Sequence, residues 1–275
     1  MREILYISDL DGTLLNSSSK LSEYTTNTLN NMFAKGIDFS VATGRTTDAA
    51  EKIMAGVALK IPIASFNGVV IYDLKHKNYN KIFYLASETV KKMFPILKFH
   101  GVSWLMYELK DNELLAYYDS LEHKPIKEFI EDRKEHYNSS FCHVNDLNDV
   151  PLEQIMYFTL IDTYNRIKPV YSALKEIPDL NLTLVDDTNI NGLWWLEIFS
   201  AEASKENAVV FLREKYGHKK VVCFGDNYND LPMFHVCDTC IAVGNALDEI
   251  KAAADYICDS NDNDGVAKWL DENVK

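Results

Sequence analysis

Asp9 and Asp11 flank a single leucine in "YISDLDGTLL", residues 6–15, directly after an apolar run. If the strand continues through them, alternate residues point to one side, so both carboxylates face the same way. Two carboxylates that close oppose each other's ionisation unless a cation or a shared proton relieves them. A third and a fourth acid stand far along the chain in "FGDNYND", as Asp226 and Asp230. No His or Cys lies among them. An all-oxygen cluster suits a hard cation, and Mg²⁺ is the natural choice where the substrate is a phosphate.

Other residues supply donors for an anion. "ATGR" ends a second apolar run and offers the Thr43 hydroxyl, followed by Gly44, where a helix is expected to begin and present backbone N–H groups. Lys205 opens a later helical stretch and brings a compact positive charge. A carboxylate nucleophile, a second carboxyl for proton transfer, a divalent cation and anion donors form a kit for covalent phosphoryl transfer. The residues alone leave open which aspartate attacks.

These groups share one placement, the carboxyl ends of strands, where open α/β sheets gather their ligands. Ile4–Ser8 is a short apolar run, and Leu29, Met32 and Phe33 stripe a helix that stops at Gly36. "IDFSVATGR" and "IPIASFNGVVIY" supply two more strands, the latter broken by an Asn67-Gly68 turn. This alternation predicts a Rossmann-like parallel sheet with crossover helices. From Phe83 the pattern changes to a helix, the hairpin "VSWLMYEL" and "NELLAYYDS", and further helices and strands. After Asn191 the first rhythm resumes, with "WWLEIF" read as a strand of the parallel sheet. The expectation is an α/β core of residues 1–82 and 191–275, interrupted by an inserted α+β cap of residues 83–190.

Composition narrows the partners. The formal charge of −13 argues against nucleic acid, which is held by clustered Lys and Arg. The 47% hydrophobic and 25% charged residues are those of a globular chain. Five cysteines, an odd number, read as thiols of a reduced cytoplasmic protein, and Cys237 and Cys240 as structural rather than redox or metal-binding residues. No signal peptide, membrane span or membrane partner is expected. Oligomeric state is not legible.

Taken together, "DLDGTLL", "ATGR", Lys205 and "GDNYND" resemble, in order, the four motifs of the haloacid dehalogenase superfamily. "FNG" at 66–68, "AVGNA" at 242–246 and "NDNDGVAKWL" at 261–270 are similar to its Cof-like branch, whose large cap is inserted between the second and third motifs. The resemblance spans the whole chain. It implies that Asp9 attacks phosphorus to form an aspartyl-phosphate, and that Asp11 protonates the leaving oxygen and then activates water. It further implies Mg²⁺ held by Asp9, the Asp11 backbone carbonyl and Asp226 with help from Asp230. Thr43 and Lys205 would then bind the phosphoryl oxygens, with Gly44 and Asn229 near them. Asn245 is placed near the site by the resemblance, and as a helix N-cap before "ALDEIK" by local reading. One departure stands out: Ala203 and Ser204 precede Lys205 where the family often has glycine.

The implied activity is Mg²⁺-dependent hydrolysis of a small phosphorylated metabolite, with a sugar phosphate favoured. Two rivals use the same residues: a phosphotransferase or mutase that passes the group to another hydroxyl, and a receiver-like phosphorylatable binding domain. The cap is expected to cover the strand ends and exclude water. Its Trp104, Tyr107, Tyr117 and Tyr118 read as its own core rather than as a stacking platform.

Overall fold

The computed structural model describes residues 2–137, 140–145, 149–186 and 192–274. The chain divides into two compact units, residues 1–81 with 204–275 and residues 82–203. The first begins with β1 (Arg2–Ser8), α1 (Glu23–Ala34), β2 (Asp38–Val41), α2 (Thr47–Ile53), β3 (Ile63–Ser65), β4 (Val70–Asp73) and β5 (Asn78–Ile82). Next come α3 (Ser87–His100), β6 (Leu105–Lys110), β7 (Glu113–Tyr118), α4 (Lys124–Tyr137), β8 (Ser140–His143), β9 (Ile155–Thr163), α5 (Tyr164–Leu174), β10 (Leu180–Asp186) and β11 (Leu193–Ser200). The return is α6 (Lys205–Tyr216), β12 (His218–Gly225), α7 (Leu231–Phe234), β13 (Thr239–Ala242), α8 (Asp248–Ala253), β14 (Tyr256–Ile257) and α9 (Gly265–Asn273).

The first unit is built on a five-stranded sheet of order β14-β13-β12-β1-β2. The described pairings are all parallel. β1 and β12 occupy its middle, and their near-continuous apolar runs reflect burial on both faces. α6 packs against β1 and β12, while α1 and α9 pack on each other. Gly36 and Gly217 both follow helix ends with left-handed backbones, as the position of Gly36 in the sequence suggested. β3, β4 and β5 form a separate small sheet, tied to the end of β2 by a parallel bridge between Ala42 and Ala64.

The second unit carries a six-stranded sheet of order β10-β11-β9-β6-β7-β8. All pairings are antiparallel except β7 with β8. β9, "IMYFTLIDT", is buried along almost its whole length and sits between β11 and β6, as a strand with two covered faces must. Trp104, Tyr107 and Tyr117 are buried, and Trp104 and Tyr117 pack in the apolar cluster with residues of α3 and α5, so their work there is packing.

Two expectations need correction. "WWLEIF" is not a strand of the parallel sheet: as β11 it pairs antiparallel with both β10 and β9 in the second unit. An apolar strand buried on one or both faces looks alike in either sheet, and only its partners decide. The expected boundary at 190 and 191 lies outside the described residues, and the second unit runs on to Ala203. Cys223 and Cys240 are buried neighbours across β12 and β13, with their sulfurs 3.6 Å apart, and Cys237 is half-buried. Among the described residues, no helix is long and apolar enough to cross a membrane.

Candidate active site

β1, β2 and β12 end side by side, and the residues that follow them meet. The strand ends at Ser8, and Asp9 is anchored by its N–H donating to the Phe224 carbonyl at 3.0 Å. Asp9 is buried, and its Oδ1 accepts from Lys205 Nζ at 2.7 Å. The same ammonium donates to Asp230 Oδ1, also at 2.7 Å. Lys205 reaches this point because it is the first residue of α6, capped by the Ser204 hydroxyl accepting from the Asn207 N–H.

Asp226 follows β12 and accepts from the Thr13 hydroxyl at 2.5 Å. Gly12 has φ of +75° and runs so close to Asp226 that a Cβ there would lie 2.5 Å from a carboxylate oxygen. Only glycine meets both demands. Asp230 Oδ2 accepts the N–H groups of Asp226 and Asn227 at 2.9 and 3.2 Å, so this acid also shapes the turn that carries Asp226. Asn229 lies half-buried in that turn.

Asp9, Asp226 and Asp230 each place a carboxylate oxygen within 4.8 Å of the others. Three carboxylates thus share one ammonium. Burial pushes the Asp9 carboxyl well up, and Asp230, Asp226 and Asp11 add to this against Lys205. Burial likewise raises Asp226 to about 7, reinforced by the charge of Asp230. On Lys205, burial opposes the charge, but Asp230 and Asp9 outweigh it and hold the ammonium protonated. A site with more buried negative charge than its lysine neutralises fits a hard cation on its oxygens.

Asp11 departs from the expected pairing. The strand alternation does not reach it, because residues 10–14 form a turn. Its side chain is half-exposed and held by Arg45, with Nε to Oδ2 at 2.7 Å and a terminal nitrogen to Oδ1 at 2.6 Å. Asp11 is not in the carboxylate cluster, which leaves its backbone carbonyl as the ligand that the resemblance implies. Arg45 was missed as a site residue although it stands in "ATGR"; its signal was the guanidinium two residues after Thr43.

Thr43 is buried in the loop after β2, not at a helix start: α2 begins at Thr47, with Thr46 as its cap. Its N–H donates to the Ala64 carbonyl, and its hydroxyl accepts from the Arg45 N–H at 3.1 Å. Gly44 packs under the Asn67 side chain. Asn245 is not an N-cap, since α8 starts after Leu247. Its amide donates to the Gly12 carbonyl at 2.7 Å, and its oxygen accepts from the Asn261 N–H at 2.9 Å. It therefore steadies the Asp9–Asp11 loop from behind.

A sequence profile of haloacid dehalogenase-like hydrolases matches residues 6–270. The chain belongs to this family. Among curated relatives, it is 26% identical over 268 residues to the 5-amino-6-(5-phospho-D-ribitylamino)uracil phosphatase YitU of Bacillus subtilis, covering 96% of this chain and 95% of that one. It is 25% identical over 278 residues to the pyridoxal phosphate phosphatase YbhA of Escherichia coli, covering 95% of each. The fold is similar to a crystal structure of a haloacid dehalogenase-like hydrolase from Bacteroides thetaiotaomicron, with a TM-score of 0.81 at 25% identity over 98% of this chain and 99% of that one. This haloacid dehalogenase-like hydrolase is a phosphatase, and its cluster of Asp9, Asp226 and Asp230 can hold a metal ion. A phosphatase leaves no place for the receiver-like binding domain.

Proposed function

We propose that this enzyme hydrolyses the phosphomonoester of a small metabolite, with a sugar phosphate favoured, through a phosphoryl group carried on Asp9 and with Mg²⁺ in the carboxylate cluster. The observation that carries this reading is Lys205 buried between Asp9 and Asp230 beside Asp226, at the ends of parallel strands. Asp9, Asp226 and the Asp11 carbonyl would hold the cation, with Asp230 fixing their turn. Bound there, Mg²⁺ stabilises the ionised form of Asp9 and offsets charge on the phosphoryl oxygens.

An oxygen of Asp9 then forms a bond to phosphorus as the bond to the leaving oxygen breaks. Asp11, oriented by Arg45, donates its proton to that oxygen. In the second half Asp11 takes a proton from water, the new oxygen bonds to phosphorus, and the Asp9–phosphorus bond breaks to release phosphate. Thr43 and Lys205 receive phosphoryl oxygens, with Gly44 and Asn229 lining the approach. The relatives named for phosphoribitylamino-uracil and pyridoxal phosphate support a phosphorylated metabolite as the substrate class.

Turnover of p-nitrophenyl phosphate with Mg²⁺ by wild type, Asp9→Asn and Asp11→Asn tests the chemistry, and a panel of sugar phosphates, nucleotides and pyridoxal phosphate tests the class. Turnover should vanish in Asp9→Asn; activity retained at the wild-type rate there would refute the covalent route.

A further inference from the structure

The "FNG" turn between β3 and β4 is buried and conformationally unusual. Phe66, Asn67 and Gly68 are three consecutive residues with positive φ, at 51°, 54° and 93°. A bulky residue such as phenylalanine pays sterically for that region, and such strain persists only where surrounding contacts enforce it. A plain hairpin between two short strands needs no such run.

Several contacts of the turn lead to the proposed phosphoryl site. The Phe66 N–H donates to the Arg45 carbonyl at 3.0 Å, and the Asn67 N–H to the Thr43 carbonyl at 2.9 Å. The Asn67 side chain lies against Gly44, where an added Cβ would come within 3.3 Å of its Oδ1. On its other side the turn abuts the start of α6. A Cβ on Gly68 would collide with the Ser204 carbonyl and lie 3.1 Å from the Lys205 nitrogen. Thr43, Arg45 and Lys205 come from segments about 160 residues apart, yet one three-residue turn touches the backbone of each.

We infer that the 66–68 turn is the positioning device of the phosphoryl site: Asn67 sets the Thr43–Arg45 loop, and Gly68 sets the height of Lys205. The inference rests on the phosphatase reading above. Asparagine suits the central place because, apart from glycine, it tolerates the left-handed region best while still offering a side chain. The Ser204 backbone ahead of Lys205 then belongs to the same contact, since the turn approaches it directly.

The test uses Asn67→Gly, which keeps the backbone conformation and deletes the carboxamide, and Gly68→Ala, which pushes on Ser204. For each, kcat and KM on p-nitrophenyl phosphate, inhibition by inorganic phosphate and the melting temperature are measured. A positioning role predicts at least a tenfold loss of kcat/KM per folded enzyme, with phosphate inhibition weakened in parallel. Loss of melting temperature alone, with turnover and phosphate inhibition intact, would overturn it. If Asn67→Gly does not fold, Asn67→Asp keeps the shape, tolerates the same φ and should weaken phosphate binding by at least tenfold through its charge; unchanged phosphate inhibition there would also overturn the role. If wild type turns over no phosphoester, the phosphatase reading fails by itself. The turn is then judged by whether inorganic phosphate raises the melting temperature of wild type but not of Asn67→Gly: a shift lost in the variant supports it, and equal shifts or none in either protein refute it.

Discussion

Replacing Lys205 with methionine should destabilise the first unit severely, and the structure says by how much and at which pH. The ammonium is 1% exposed and lies 2.7 Å from both Asp9, 6% exposed, and Asp230, 0% exposed. Methionine fills much of the same space, so the main effect is two buried carboxylates without their counter-charge. Breaking a buried ion pair from one side costs about 3–5 kcal/mol, and two orphaned partners place this case near the upper end. At about 2–4 °C per kcal/mol for a unit of this size, the melting temperature should fall by about 10–20 °C at neutral pH. The deficit has a sign in pH. Burial already raises the Asp9 carboxyl against the pull of Lys205; without Lys205 its folded pKa lies further above its unfolded value, so the folded state binds more protons between the two. Stability of the variant therefore falls as pH rises through that window, and the gap to wild type narrows towards pH 4. Thermal melts by circular dichroism from pH 4 to 8, with the double variant Lys205→Met/Asp230→Asn as a relief control, would show this. A drop below about 3 °C at pH 7, or an equal drop at every pH, would refute the assignment of Lys205 as the charge that makes this cluster tolerable.

Further outcomes follow from individual contacts. Arg45→Ala removes a half-exposed ion pair worth about 1 kcal/mol or less, so melting should barely change. If Arg45 orients Asp11 for proton delivery, turnover of an alkyl phosphomonoester should fall about tenfold or more, and p-nitrophenyl phosphate, whose leaving group needs little protonation, should suffer less. Asp226 is raised to about 7, chiefly by burial, from an unfolded value near 3.8. The metal-free protein should thus lose stability as pH rises from about 4 to 7, and the rise in melting temperature on adding Mg²⁺ should grow over the same range. Melts with Mg²⁺ and with chelator at four pH values check this; a metal shift that ignores pH would contradict it. Thr13→Val deletes the 2.5 Å bond to Asp226 and should raise the Mg²⁺ concentration needed for half-maximal activity several-fold.

Asp9 and Asp226 were legible because each stands at the end of an apolar run, and a parallel sheet brings such ends together whatever the loops do. Lys205 was legible as a helix start, but not as the bridge between Asp9 and Asp230, which depends on side chains converging from 196 and 25 residues away. The Arg45 fork on Asp11 spans 34 residues and exists because β1 and β2 run parallel in the register Ser8 to Val41. Nothing local announces it. Asn245 misled for the opposite reason: it has the residue type of a cap and lies just ahead of a helix, yet both ends of its amide serve distant backbone groups. β11 misled because apolar strands do not reveal the direction of their neighbours.

The proposed mechanism requires a carboxylate oxygen of Asp9 to take the phosphoryl group. Rapid mixing of enzyme with substrate and Mg²⁺, followed by acid quench and peptide mass mapping, reads that directly. The expected result is one added phosphoryl group on the peptide carrying Asp9, formed in a burst ahead of steady turnover and lost in Asp9→Asn. Steady turnover from the first instant, with no modified peptide or with the group on another residue, would contradict it.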